Sequence, residues 1–196
     1  MTFPIISKPK SFGSLPRYSV IDSLKEIIEV PNLISIDQVK KLKLFASDAN
    51  TSGLHRRGSK NLSVDASFYT CLVFRHDDPI YDALDYIWSN YAQKIDPNIT
   101  FIEPYEIKMY VDGDRFDKHH DGCVNFENKV HRKINLVIQL SDELDYDGGD
   151  LIIDSHIANR TIGTGIFFPA NVNHTVTPIT RGTRFSLIGH SWGPYT

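Results

Sequence analysis

The sequence predicts an α+β domain whose second half is a two-sheet jelly roll, a cupin-like double-stranded β-helix. Three observations predict it. Helical periodicity is confined to two segments before residue 100, over 36–49 and 77–95. From Phe101 onward, runs rich in β-branched and aromatic residues, such as YEIKMYV, KINLVIQL, GIFFP and TRFSLIGHSW, are separated by Gly, Pro and Asp turns. The 196 residues, 41% hydrophobic and 23% charged, suffice for one buried core without disulfides.

Taken in order, residues 1–20 carry Pro4, Pro9, Gly13 and Pro16 among polar residues and read as an extended arm, leaving 21–196 as a single domain. IIEVPNLIS is a short strand running into a turn. Ser35, with Gln38 three residues on, has the spacing of a capping box that opens a helix over IDQVKKLKLFASDA. Val39, Leu42, Leu44, Phe45 and Ala46 would pack that helix on a sheet. Residues 51–67, rich in Gly, Ser and charge, read as a long loop and are expected to close as a lid; Arg56 and Arg57 within it are either substrate contacts or solvated surface. FYTCLVF is a strand candidate. The second helix, with Pro79 near its start, repeats Ile80, Leu84, Ile87, Trp88 and Tyr91 at helical spacing, a core stripe. The remaining strands are YEIKMYV, a segment around HHD, KINLVIQL, DLIID, a short strand near Thr161, GIFFP, HTVTPI and TRFSLIGHSW.

A net charge of −3 leaves no electrostatic footprint for nucleic acid. Cys71 and Cys123 are far apart and outside any CxxC spacing, so neither a disulfide framework nor a zinc-thiolate site is expected, and a reducing cytoplasm is the simpler setting. No segment approaches the roughly 20 apolar residues of a membrane span.

The chemistry concentrates in YVDGDRFDKHHD, residues 110–121. His119 and Asp121 are two positions apart, so on an extended backbone they share a face while His120 points away. FFPANVNHTVTPITRGTRFSL adds His174 in another strand and Arg184 ten residues later. An HxD pair plus one distant histidine is the ligand set of the 2-His-1-carboxylate facial triad, which leaves three positions of an octahedral Fe(II) open. His55, His76, His120, His131, His156 and His190 lack that spacing and are assigned to loop or surface roles.

In fixed order along the chain stand Tyr110, Gly113, His119, Asp121, the DYDGGDL turn with Gly148 and Gly149, GIFFPANVNH, Pro178, Gly182, Arg184 and Ser186. This pattern, over about residues 105 to 192, resembles the 2-oxoglutarate- and Fe(II)-dependent dioxygenases of the prolyl 4-hydroxylase-like superfamily. The resemblance implies that His119, Asp121 and His174 ligate iron, that Arg184 anchors the far carboxylate of 2-oxoglutarate with help from Ser186, and that Tyr110 lines the same pocket. Arginine at the anchor does not identify the substrate, since some prolyl hydroxylases use lysine there. In the related halogenases the carboxylate position is a small residue, so Asp121 points to hydroxylation.

Elementary electrostatics agrees. Two neutral imidazoles and one carboxylate leave Fe(II) with net charge near +1, which attracts a dianionic keto acid, whose other carboxylate then needs a cation. Arg184 shares a strand face with Ser186, whereas Arg181, the competing candidate, sits in the TRGT turn. The expected cofactors are Fe(II), 2-oxoglutarate and O₂, with ascorbate as reductant. The expected substrate is a prolyl residue of a protein or peptide. Three other readings stand beside it: a free amino acid or metabolite as substrate, a metal-binding cupin-like module without turnover, and a zinc hydrolase. An arginine placed for a keto acid argues against the last. Residues 122–132, GCVNFENKVHR, are expected to rim the site.

Overall fold

The structure, a computed structural model, describes residues 26–47, 55–59, 66–73 and 79–194. Its first half holds β1 (Ile28–Val30), α1 (Ile36–Ser47), β2 (His55–Ser59), β3 (Ala66–Val73) and α2 (Pro79–Ile87). α2 continues through a π-helical turn, Trp88–Ala92, into α3 (Gln93–Ile95). There follow β4 (Phe101–Ile102), β5 (Tyr105–Tyr110), β6 (Arg115–His119), β7 (Val124–Asn125), β8 (Val130–Gln139), β9 (Tyr146–Gly148) and β10 (Leu151–Ile153). The last are β11 (His156–Ile157), β12 (Gly165–Pro169), β13 (His174–Val176), β14 (Ile179–Gly182) and β15 (Arg184–Pro194).

The strands pair antiparallel in the order β1-β12-β8-β15-β5-β3-β6-β13-β10-β11, with β2 on β3, β4 on β15, β7 on β8, and β14 paired separately with β9. The sheet curls into a double-stranded β-helix, as expected.

Two cores flank the major sheet, and strand periodicity sorts residues between them. On β8, Ile134, Leu136 and Ile138 join Val39, Leu42, Ile80, Leu84 and Trp88 of the helical side. Val137 faces the interior of the roll with Tyr146, Ile153, Ile166 and Phe168. The same alternation sends Leu187 of β15 to the helices and Ile188 to the interior. Because both faces are covered, residues 133–139 of β8 are all buried, and each aliphatic or aromatic side chain fully withdrawn from water contributes about 1.5–3 kcal/mol. Helices and the outer sheet face thus hold the sheet rigid while its inner face is left to the site.

The local expectations fare differently. The capping box is formed in both directions: Ser35 N–H donates to Gln38 Oε1 at 2.8 Å, and Gln38 N–H to Ser35 Oγ at 3.2 Å. Leu44, expected against the sheet, is 67% exposed, because Val39, Leu42 and Ala46 already fill the buried stripe. The loop reading of 51–67 is corrected at 55–59 and 66–67, which are strand: β2 pairs with β3 from His55↔Thr70 to Ser59↔Ala66. A partner strand satisfies the backbone there, which composition does not reveal. No strand forms at Thr161; the short strand lies earlier, at His156–Ile157. His131 and His190 are buried in β8 and β15, not in loops or at the surface. The proposed arm, 1–20, and His76 lie outside the described residues.

Candidate active site

β5 and β6 are joined by a tight turn with Gly113 at φ +79°. Asp114, fully buried, holds the turn by accepting from Val111 N–H at 3.0 Å and from the Ser67 hydroxyl. β6 therefore starts in a defined register and delivers His119 at its end, directly opposite His174 at the start of β13. Asp121 lies just beyond β6, where its N–H donates to the Ala170 carbonyl at 2.9 Å. The ligand atoms of His119, Asp121 and His174 lie within 4.8 Å of one another.

The imidazoles are already turned for a metal. His119 Nδ1 is 2.7 Å from the Asp117 carbonyl and His174 Nδ1 is 3.1 Å from the Val172 carbonyl. A carbonyl only accepts, so each Nδ1 carries a proton, and in a neutral ring that leaves the lone pair on Nε2, which faces the shared space. His174 Nε2 stands 3.2 Å from Asp121 Oδ2, and His119 Nε2 stands 3.9 Å from Oδ1. Burial pushes the His119 pKa down to about 3, against the pull of Asp121, so the ring is neutral near pH 7. Burial acts to raise the Asp121 carboxyl, but attraction to and a hydrogen bond with His174 chiefly outweigh it and hold the carboxyl well below the usual carboxylate range. Two neutral nitrogen donors and one carboxylate fit a divalent metal with open positions.

The other end of the pocket holds a buried cation. Arg184 is 1% exposed, and it donates to Gln139 Oε1 at 3.1 Å and to Ser186 Oγ at 3.4 Å. Its Nε finds no protein partner, and among the described residues no carboxylate pairs with it. Tyr110 stands opposite Arg184 in the β5–β15 ladder, and its ring centroid lies 5.5 Å from the guanidinium carbon. Burial drives the phenol pKa upward, so the hydroxyl keeps its proton. Arg181 is different in kind: it is exposed and pairs with Asp147 at 2.6 Å. An unpaired guanidinium withdrawn from water is costly, which fits a site built to receive an anion.

Gly148 and Gly149 make room for this end. At Gly149, φ +64°, a Cβ would fall 2.3 Å from Ile179 Cδ1 and 3.1 Å from Arg184 Cδ. At Gly148, φ +70°, it would strike the Pro178 carbonyl oxygen at 2.0 Å.

All six residues singled out in the sequence, His119, Asp121, His174, Arg184, Ser186 and Tyr110, line one pocket. Sequence reading missed Asn135, Gln139, His190 and Lys108. Asn135 donates from Nδ2 to Asp121 Oδ2 at 2.9 Å, and its Oδ1 is 2.8 Å from His190 Nδ1. The available sign was two amides, Asn135 and Gln139, four residues apart in the otherwise apolar KINLVIQL. Lys108 reaches the pocket with Nζ 4.9 Å from the Phe68 ring centroid and 5.0 Å from that of Phe116. The segment after Asp121 folds back as β7 on β8, and Arg132 of β8 forms a two-pronged ion pair with Glu103 at 2.6 and 2.9 Å. Arg56 and Arg57 lie on β2, paired with Tyr69 and Phe68 of β3.

Residues 105–192 match the 2OG-Fe(II) oxygenase superfamily. That match spans just under half of the chain. A PKHD-type hydroxylase of Rhizorhabdus wittichii is 30% identical over 41% of this chain and 39% of its own length. Another, of Paraburkholderia phytofirmans, is 24% identical over 82% of this chain and 75% of its own. In fold, the chain is similar to a Pseudomonas putida prolyl-4-hydroxylase, with TM-score 0.67, 18% identity and coverage of 87% of this chain and 93% of that one. 2OG-Fe(II) oxygenases use Fe(II), 2-oxoglutarate and O₂, and the His-Asp-His cluster and buried arginine of this chain suit the metal and the keto acid. Among the described residues no helix is long and apolar enough to cross a membrane.

Proposed function

We propose that this chain is a 2OG-Fe(II) oxygenase that hydroxylates a prolyl residue of a protein or peptide: 2-oxoglutarate, O₂ and the substrate C–H give succinate, CO₂ and the alcohol. His119, Asp121 and His174 hold Fe(II), and Arg184, with Ser186 and Tyr110, holds the distal carboxylate of 2-oxoglutarate. The observation that carries this reading is the buried Arg184, with no carboxylate partner among the described residues, sharing one pocket with the three ligands. Bound Fe(II) would supply redox chemistry and open coordination positions, which Zn²⁺ lacks in the first respect.

The chain's own residues do the rest. Arg184 presents a planar fork to two carboxylate oxygens, and Gln139 and Ser186 keep the fork aimed. Tyr110 retains a proton to donate. Val137, Leu151, Phe168, Val176 and Ile188 wall the space between the two ends and exclude water from it. The hydroxylase names of the relatives and the prolyl-4-hydroxylase fold support a prolyl substrate.

A second reading, a free amino acid or other small acid as substrate, is favoured by Lys108. This is a second cation on the pocket, across the ladder from Ser186. The deciding experiment measures succinate released by Fe(II)-loaded protein with ascorbate, comparing proline-containing peptides with free amino acids. Peptide-stimulated release with a product mass gain of one oxygen supports the first reading. Stimulation by amino acids alone supports the second, and no release with any substrate leaves a metal-binding module.

A further inference from the structure

We propose that Asn135 is the positioning residue for the Asp121 carboxylate, and that His190 dictates which way the Asn135 amide faces. This rests on the reading of Asp121 as a metal ligand.

The three proposed ligands are oriented by different means. The two histidines are each tied through Nδ1 to a carbonyl of the preceding chain, so the backbone itself fixes their rings. Asp121 has no such tie. It lies past the end of β6, and the torsion of its carboxylate is free unless a neighbouring side chain fixes it.

Asn135 supplies the restraint. It sits in the middle of β8, between β12 and β15, is 1% exposed, and donates from Nδ2 to Asp121 Oδ2 at 2.9 Å. That is the oxygen nearer to His174, with Nε2 at 3.2 Å. On the other side, Arg132 Nη1 stands 3.9 Å from Oδ1.

A primary amide has a donor end and an acceptor end, so one contact does not fix it. A flipped Asn135 would set its carbonyl oxygen against an ionised carboxylate, which only accepts. His190 closes that option. It is the register partner of Asn135 across the β8–β15 ladder, and its Nδ1 lies 2.8 Å from Asn135 Oδ1. With Nδ1 protonated the ring donates to the carbonyl end, leaving the amide N–H to point at Asp121. Burial, reinforced by the nearby Arg132 charge, holds the His190 pKa down to about 4, which agrees with a neutral donor tautomer. The result is a directed chain, His190 Nδ1–H to Asn135 Oδ1, then Asn135 Nδ2–H to Asp121 Oδ2. Partners of this kind typically change metal affinity by about 10- to 100-fold when removed.

The test is Mn(II) binding by calorimetry on the full chain, with circular dichroism to confirm folding. Asn135→Leu, close in volume and unable to donate, should weaken Mn(II) about 10- to 100-fold. His190→Phe should weaken it to a lesser degree, and His190→Gln, which restores a donor to Asn135 Oδ1, should recover the affinity. A shift in the visible spectrum of the Co(II)-loaded Asn135→Leu protein would report the altered carboxylate, which a purely structural role would not move. Folded Asn135→Leu with the Mn(II) affinity of the wild type would overturn the assignment. If that variant does not fold, equal affinities of His190→Phe and wild type would overturn it. A wild type that binds no Mn(II), Co(II) or Fe(II) would instead sink the metal reading beneath it.

Discussion

His119 and His174 face each other across the β6–β13 ladder with ring centroids 4.3 Å apart, each ring tied to the carbonyl two residues before it. The two strand ends thereby make one rigid pair of nitrogen donors, which Asp121 completes. Removing one ring should remove most of the binding: His174→Ala should lose Fe(II) affinity severely in anaerobic titration, with folding intact. Stoichiometric, wild-type Fe(II) affinity in that variant would take His174 out of the site.

Arg184 and Arg181 should separate by kinetics. In the proposed function Arg184→Ala removes a buried, charge-assisted contact to the co-substrate, an expected loss on the order of 2–4 kcal/mol, or about 30- to 1000-fold in the apparent KM for 2-oxoglutarate. Metal binding should hardly change. Arg181→Ala breaks only an exposed pair with Asp147, and its KM should stay near the wild type. The opposite ranking would contradict the placement of the anchor on β15.

Gly149→Ala should damage the same end without touching a charged group. Its φ of +64° disfavours any side chain, and the new Cβ would press on Ile179 and the Arg184 stem. Expected are a loss of stability of at least about 1 kcal/mol and a raised KM for 2-oxoglutarate. Denaturant melts together with initial rates check both, and unchanged values would show that the turn relaxes freely.

Metal-free protein should lose stability as pH falls from about 6.5 toward 4. His131 and His190 have pKa values lowered to about 4, chiefly by burial and then by the charges of Lys133 and Arg132 respectively. The unfolded chain takes up these protons near the ordinary histidine value of about 6.5, before the folded one does. Their contribution is therefore fully present above pH 6.5 and is lost as pH falls through the folded values, on the order of 1–3 kcal/mol for each ring. Melting temperatures in chelator-treated buffers should decline across this window, and His190→Gln should lessen the decline. A flat profile from pH 7 to 4.5 would mean that these rings are not held neutral.

What the sequence made legible was local or periodic. Ser35 and Gln38 lie within one helical turn, and the alternation along β15 put Arg184 and Ser186 on one face and left Arg181 in the turn. The HxD spacing also brought His119 and Asp121 together, although Asp121 lies beyond the strand proper. What stayed hidden depends on partners distant in the chain. Residues 55–59 are a strand because β3 pairs with them, despite a loop-like composition. Asn135 and His190 are 55 residues apart, and only the β8–β15 register makes them neighbours of each other and of Asp121. Leu44 was misplaced because a helical stripe of five candidates is wider than the face the sheet covers.

In the proposed function the two ends of the pocket grip one dianion together. Anaerobic calorimetric titration of 2-oxoglutarate into metal-free and Fe(II)-loaded protein tests it most directly. One molecule should bind per Fe(II)-loaded chain, with greatly weakened binding in the absence of metal and a comparable loss in Arg184→Ala even when Fe(II) is present. Equal affinity with and without Fe(II), or full affinity in Arg184→Ala, would contradict it.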